Sequence, residues 1–263
     1  MQEPHYIFDE PSDLRWMSEM IFVEGGTFRM GSEADDKEAY DWEKPAHAVK
    51  LDSFHIGKYP VTQALWETVM GNNPSEFKGS NRPVENVSWD DIVQAFLPKL
   101  NTLTEGVRPK ELEYQLPTEA QWEYAARGGK YWNKYPFKYA GSDKLNEVAW
   151  YRENNHDETK PVGLKTPNLL GLHDMSGNVW EWCSDKRTGG ENYDRLIKES
   201  KKDPITGALD NPTGVVEGSN RVPRGGSWLY FARRCRPTRR FNGTPSDRDY
   251  NIGFRLALFS PSV

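Results

Sequence analysis

Apolar and polar positions change period several times along this chain, and each change marks an element. "MIFVEGGTFRMGS" places two short apolar runs around Gly25 and Gly26, which predicts a strand, a Gly-Gly turn and a second strand in a hairpin. "AHAVKLDSFHIGKYPVT" alternates like a half-buried strand. Thr62 then opens a short helix, "QALWETVMG", with Gly71 placed to stop it. "NPSEFKGSNRPVENV" reads as loop. Ser88 caps a second helix, "WDDIVQAFLPKLNTL", with Asp90 and Asp91 favourable in its first turn and Pro98 expected to bend or end it. "LPTEAQWEYAARGG" carries a capping box, with Thr118 as N-cap, Gln121 at the third helical position and Gly128 as the stop. Ala120, Trp122 and Ala125 would pack this helix against the rest of the chain.

After Gly128 the helical period disappears. The stretch from Tyr139 to Asp185 is turn-rich, with a few short strands. The segment from Lys186 to Asn220 is polar, rich in Gly, Asp and Lys, and reads as an exposed loop. "RVPRGGSW" and "NIGFRLAL" read as the last two core strands. No internal repeat and no Pro/Gly/Ser linker interrupts the pattern. The expectation is one α+β domain over residues 20–263, preceded by an N-terminal extension over residues 1–19. It would hold two or three helices and many short, mostly antiparallel strands joined by long loops.

Composition sharpens this picture. Only 36% of the residues are apolar, yet the chain holds 10 Trp, 22 Gly and 18 Pro, so the core should rest on aromatic anchors within much irregular backbone. A net charge of −5 argues against a general nucleic-acid binder. No apolar run is long enough to span a membrane. The opening residues show neither a basic region nor an apolar core of a signal peptide, and a lipid anchor on a longer precursor stays open. Cys183 and Cys235 can form at most one disulfide, and two buried thiols is the expected state. The five histidines are scattered without metal-ligand spacing, which argues against zinc. "SWDD" and "WEW" offer paired acids, but they read as a helix N-terminus and a structural turn rather than as catalytic carboxylates.

Taken in order, "GGTFRMGS", "EKPAHAVKLDSFHIGKYPVTQALW", "PVENVSWDD", "LPTEAQWEYAARGG", "GLHDMSGNVWEWCSD", "RGGSW" and "NIGFR" resemble the formylglycine-generating-enzyme/sulfatase-modifying-factor family. The resemblance runs from about Met20 to Leu258 and implies a C-type-lectin-like fold elaborated with helices and long loops. Oxidase members bind copper(I) through two cysteines after the "GGS" motif, since soft thiolates suit that ion. Here the first of those positions is Tyr230 and the second is Cys235, so no copper and no oxidase activity is expected. Formylglycine-type oxidation, or a related redox activity, is the alternative function.

The stretch from Arg224 to Ala257 also resembles the variable region of proteins diversified by retroelements, of the Treponema variable protein type. Randomising adenines in Asn codons can never encode Lys, Glu, Gln, Met or Trp. None of these five occurs from Leu229 to Asn251, and the absence runs on to Val263. The same window holds six Arg and no Lys, although the whole chain carries 17 of each. Asn242 and Asn251 read as unaltered template positions. The resemblance implies a hypervariable ligand-binding protein at the cell surface or outside the cell, acting as a monomer. Its partner would be a protein or other surface ligand that differs between variants, and not a nucleic acid. The expected solvent-exposed site comprises Leu229, Tyr230, Phe231, Arg233, Arg234, Arg239, Phe241, Gly243, Thr244, Asp247, Asp249 and Tyr250, with Pro237 and Thr238 as further candidates. Ala232, Cys235, Arg236, Arg240 and Arg248 would be framework.

Leu, Tyr, Phe and Arg side chains suit a binding surface, because they offer contact area, stacking and bidentate hydrogen bonds at a tolerable entropy cost. Two blander readings compete. Tyr230 and Phe231 could be core with Arg heads reaching solvent, or the Arg–aromatic run could bind phosphate and bases. Asp247 and Asp249 in the same segment weigh against the latter. The family resemblance also implies a structural calcium ion at "DMSGNVWEW", held by the carbonyls of Asp174, Gly177 and Val179 and the side chain of Glu181, a hard-oxygen set of the kind Ca²⁺ takes.

Overall fold

The computed structural model describes residues 19–260, so the expected N-terminal extension lies outside the described residues except for Glu19. Strands β1 (Met20–Val23) and β2 (Gly26–Met30) do not form the expected hairpin. They are two halves of one bent strand, antiparallel to a second bent strand made of β3 (His47–Leu51) and β4 (Phe54–Gly57). The register runs from Met20 opposite Gly57 to Met30 opposite His47. The Gly25 amide donates to Ser53 Oγ at 3.0 Å, so the Gly-Gly pair turns a corner against its partner instead of reversing the chain. The alternation of β3 is real, with His47, Val49 and Leu51 buried.

Thr62 caps α1 (Gln63–Met70) by accepting from the Leu65 N–H, and Gly71 closes it at φ 77°. Ser88 caps α2 (Trp89–Asp91), where its side chain and that of Asp91 exchange bonds with each other's backbone N–H. Pro98 does not end this helix. A π-turn over Ile92–Phe96 carries the chain into α3 (Leu97–Leu103), with the Leu97 N–H reaching back to Ile92 O. Pro98 then lies in the first turn of α3, where a missing N–H costs little. After β5 (Glu113–Gln115), helix α4 (Glu119–Ala126) forms behind the Thr118–Gln121 capping box and stops before Gly128 at φ 90°. All 8 residues of α4 are buried, including Glu119 and Glu123, so two carboxylates enter the core and need partners there.

Short elements follow: α5 (Leu145–Val148), β6 (Ala149–Trp150), β7 (Ser176–Gly177), β8 (Trp180–Arg187), α6 (Asp194–Glu199), β9 (Leu209–Asp210), β10 (Asn220–Arg224), β11 (Ile252–Phe254) and β12 (Ala257–Phe259). They assemble as β1-β4-β12-β5, β2-β3-β9, β10-β8-β11 and the pair β6-β7. The segment 186–220 is thus not merely an exposed loop. It contributes α6 and β9, and Tyr193, Leu196 and Leu209 anchor it in the core. Polar composition hid these anchors because the apolar stripe of Tyr193, Leu196 and Ile197 is only one turn long and Leu209 lies in a strand of two residues.

One aromatic-rich core gathers around α4 and the bent strands, with Phe28, Trp122 and Tyr124. A second joins α1 and α3 to the β8 sheet through Trp66, Phe96, Trp180, Trp182 and Phe254. Cys183 lies in the first core and Cys235 in a smaller cluster with Tyr139 and Tyr151, both as free buried thiols. No helix among the described residues is long and apolar enough to cross a membrane.

Candidate ligand-binding surface

Strand β8 is central in its sheet, with β10 antiparallel on one side and β11 parallel on the other. The candidate segment is the connection from β10 to β11, so it must pass over β8. It leaves β10 through Gly225 and Gly226, both at positive φ (95° and 77°), a turn that few other residues would tolerate. Its floor is aromatic. Phe241 stacks on Trp180 at 5.2 Å, and Tyr230 meets the same ring edge-on at 5.9 Å. Trp228, Tyr250 and Phe77 form a second group, with centroids 5.3–6.2 Å apart. Asn155 is buried and donates to the carbonyls of Tyr151 and Trp228, fixing the turn from below.

The arginines divide into two sets. Arg240 grips Glu119 with two bonds, Nε to Oε1 at 2.6 Å and NH2 to Oε2 at 2.8 Å, and lies over the Tyr193 ring at 3.9 Å. Arg236 donates to Glu43 Oε1 at 3.0 Å, and the Thr238 hydroxyl donates to Glu43 Oε2 at 2.9 Å. Arg224, fully buried, bridges Glu119 and Glu123 at 3.1 and 2.5 Å and holds the carbonyls of Pro237 and Thr238. The middle of the segment is therefore bolted to α4 and to the loop carrying Glu43. Burial alone would raise the Glu119 carboxyl, but Arg240 and Arg224 more than offset it, leaving it below its usual value. Arg236 and Arg240 are thus buried and paired inward, the placement that framework residues would have. Arg248 stays near the surface, paired to Asp91 at 2.6 Å.

The remaining side chains face outward in part. Phe231, Arg233, Thr244, Asp247 and Tyr250 are exposed, and Leu229, Tyr230, Arg234, Phe241 and Asp249 are half-buried. Two expected surface positions are not at the surface. Arg239 is 3% exposed, tucked against Tyr40 and Trp42. Gly243 is buried because it seats on Trp182, where an added Cβ would lie 2.5 Å from the ring. The two further candidates, Pro237 and Thr238, are buried as well. Sequence reading missed Glu43, Glu119 and Glu123 as the anions that hold this segment. The one available signal was the spacing of Glu119 and Glu123 within a helix whose other residues, Gln121 apart, are Ala, Trp and Tyr. It also missed Arg152, whose guanidinium covers the Phe231 ring at 4.7 Å.

Tyr230 packs below Arg234, which lies 4.5 Å over its ring. Burial in an apolar cluster pushes the Cys235 thiol up to about 12. At the "DMSGNVWEW" turn, Asp174 and Gly177 adopt positive φ. The Glu181 carboxylate there is already engaged: Arg255 donates to both oxygens at 2.9 and 3.0 Å, and Trp122 Nε1 donates at 2.6 Å. Burial raises the Asp174 carboxyl, which accepts from the Gly163 N–H at 2.8 Å. Glu181, the one carboxylate of the expected calcium set, thus serves as counter-ion to Arg255, which leaves little free negative charge for a cation there. Among the described residues no group of three or more His, Cys, Asp and Glu could hold a metal.

Residues 9–259 match the Sulfatase-modifying factor enzyme 1-like domain. The chain belongs to this family. Across the sulfatase-modifying-factor family, one relative is the Chaperone protein LppX of Paenibacillus barcinonensis, 36% identical over 70% of this chain and 77% of that protein. The formylglycine-generating enzyme of Thermomonospora curvata is 28% identical over 97% of this chain and 98% of its own length. Among solved structures, Treponema denticola variable protein 1 superposes with a TM-score of 0.75 at 30% identity, covering 92% of this chain and 95% of that one. The fold is thus the formylglycine-generating-enzyme type of C-type-lectin fold, as its α+β pattern and motif order implied.

Proposed function

We propose that this sulfatase-modifying-factor domain is a non-catalytic, ligand-binding protein, and that the β10–β11 connection is its recognition surface. On this reading the segment is diversified by a retroelement and displayed at the cell surface or outside the cell. The observation that carries it is the division of the segment. Buried arginines bolt its backbone to Glu43, Glu119 and Glu123, while Phe231, Arg233, Thr244, Asp247 and Tyr250 project from that frame as exposed side chains. A fixed backbone with free side chains is what variation of a binding site requires. The likeness to Treponema denticola variable protein 1 supports the same reading.

The alternative is a formylglycine-type oxidase, favoured by the relatedness to the Thermomonospora curvata enzyme. The state of the thiol weighs against it. Cys235 is fully buried with its thiol pushed up to about 12, so little thiolate is present for a metal or a substrate. Tyr230 occupies the place where the family resemblance puts the companion cysteine, and a phenol does not serve copper(I).

Two experiments separate these readings. The neighbouring DNA should carry a reverse-transcriptase gene and a near-copy of the segment with Asn codons at variable positions; absence of both removes the diversification claim. Incubating the protein with copper(I) and a cysteine-containing peptide should yield no aldehyde, and robust turnover would establish the oxidase instead.

A further inference from the structure

Tyr40 and Trp42, far from the segment in sequence, form a parallel ring stack at 4.7 Å with an interplanar angle of 6°. Both rings are half-buried. Arg233 lies over Tyr40 at 3.9 Å, and Arg239 lies over Tyr40 at 4.4 Å and over Trp42 at 5.2 Å. The three groups of positive charge here are poorly matched. Arg233 donates only to the Glu38 carbonyl, and the Glu38 carboxylate is drawn to Lys138. Arg234 has a ring contact but no ion pair among the described residues. Arg239 is buried, yet its Nε and NH1 atoms have no hydrogen-bond partner. Its nearest carboxylate, Glu43, stands 3.8 Å away with both oxygens already taken by Arg236 and Thr238.

Buried guanidinium N–H groups left unpaired are costly, and their presence points to a missing partner. Burial lowers the Arg239 guanidinium to about 10, so it remains charged at neutral pH. The patch is positive on a chain whose net charge is −5, which makes it a local feature rather than the general field. Guanidinium forks match carboxylates in two-bond geometry, and the flanking Phe231 is 56% exposed and offers apolar contact.

Resting on the recognition-surface reading, we infer that Arg233 and Arg234, with the buried charge of Arg239 behind them between Tyr40 and Trp42, form a subsite for an acidic protein segment. Its carboxylates would engage Arg233 and Arg234 while an adjacent apolar side chain packs on Phe231. The subsite extends the surface beyond the diversified segment onto the loop carrying Tyr40 and Trp42, while its arginines belong to that segment, so acidity would be a preference of this variant's own ligand.

The test pans a random peptide library, roughly twelve residues long and at about 0.1 M salt, over the full chain and over an Arg233→Ala/Arg234→Ala variant. These positions are at least partly solvent-facing, so thermal melting should match between the two proteins. Peptides recovered on the natural chain should be at least about twofold enriched in Asp and Glu, and each should bind the variant at least about tenfold more weakly. Arg239→Met gives a second variant with a smaller loss in the same direction, read only if it melts cooperatively. Recovered peptides without acidic enrichment, or enrichment that persists on the double variant, would overturn the acidic subsite while leaving the recognition surface standing. A heparin oligosaccharide binding about tenfold more tightly than any peptide would transfer the site to a sulfated glycan and overturn the proposal. Retention of neither peptides nor oligosaccharide would remove the recognition surface itself.

Discussion

Arg240 and Arg233 lie seven positions apart in the same segment, and their removal should differ by several kcal/mol. Arg240→Ala takes away both bonds to Glu119 and the cation over Tyr193. It leaves Glu119 buried, with Arg224 NH1 at 3.1 Å as its remaining cation. Breaking a buried pair on one side costs about 3–5 kcal/mol, because the surviving charge keeps its desolvation penalty. For a chain of this size that corresponds to a fall in Tm of about 6–20 °C. Arg233 is exposed and stacks on one ring, so Arg233→Ala should cost less than about 0.5 kcal/mol. Urea unfolding, with Tm as a second readout, measures both. A double variant with Glu119→Gln should cost much less than the sum of the singles, since the two residues form one pair. The acid limb follows from the same contact. Because the Glu119 carboxyl is held below its ordinary value of 4.5, the unfolded chain takes up its proton first. This contribution is whole above about pH 4.5, falls as pH drops through the folded value, and is absent in Glu119→Gln. An Arg240→Ala cost under about 1 kcal/mol, or an Arg233→Ala cost as large as it, would refute the division into frame and displayed residues.

Three other outcomes are expected. Gly243→Ala should cost about 1–3 kcal/mol, because its methyl would meet the Trp182 ring; a neutral result by urea unfolding would reopen Gly243 as a variable position. Burial, with Glu119 adding to it, raises the Asp185 carboxyl to about 7, so stability should fall as pH rises from about 4 through 7. Asp185→Asn should flatten that fall and be more stable than the natural chain at about pH 8, by on the order of 1–3 kcal/mol, as pH-dependent unfolding would show. Excess chelator should leave Tm unchanged within about 1 °C, and a clear drop restored by Ca²⁺ would put a calcium ion back at Glu181.

Local chemistry determined much of this molecule. The caps at Thr62, Ser88 and Thr118 and the stops at Gly71 and Gly128 were legible because each is satisfied within a few residues of its own position. The order of motifs was enough to name the fold, and the restricted alphabet from Leu229 to Asn251 set that segment apart from the rest of the chain. The direction in which each side chain of that segment points was not legible. The excess of Arg over Lys suited a restricted codon set, but it also has a packing cause. Arg236 and Arg240 meet buried carboxylates with fork geometry that Lys lacks, and Arg239 lies against Tyr40 and Trp42. Only the tertiary structure could separate these inward arginines from Arg233 and Arg234. Their partners, Glu43, Glu119 and Glu123, come from distant parts of the chain, and the segment has no period from which facing could be read. The same holds for the Gly-Gly corner at residues 25–26. A hairpin and a corner use the same residues, and the choice was made by a partner strand that arrives some twenty residues later.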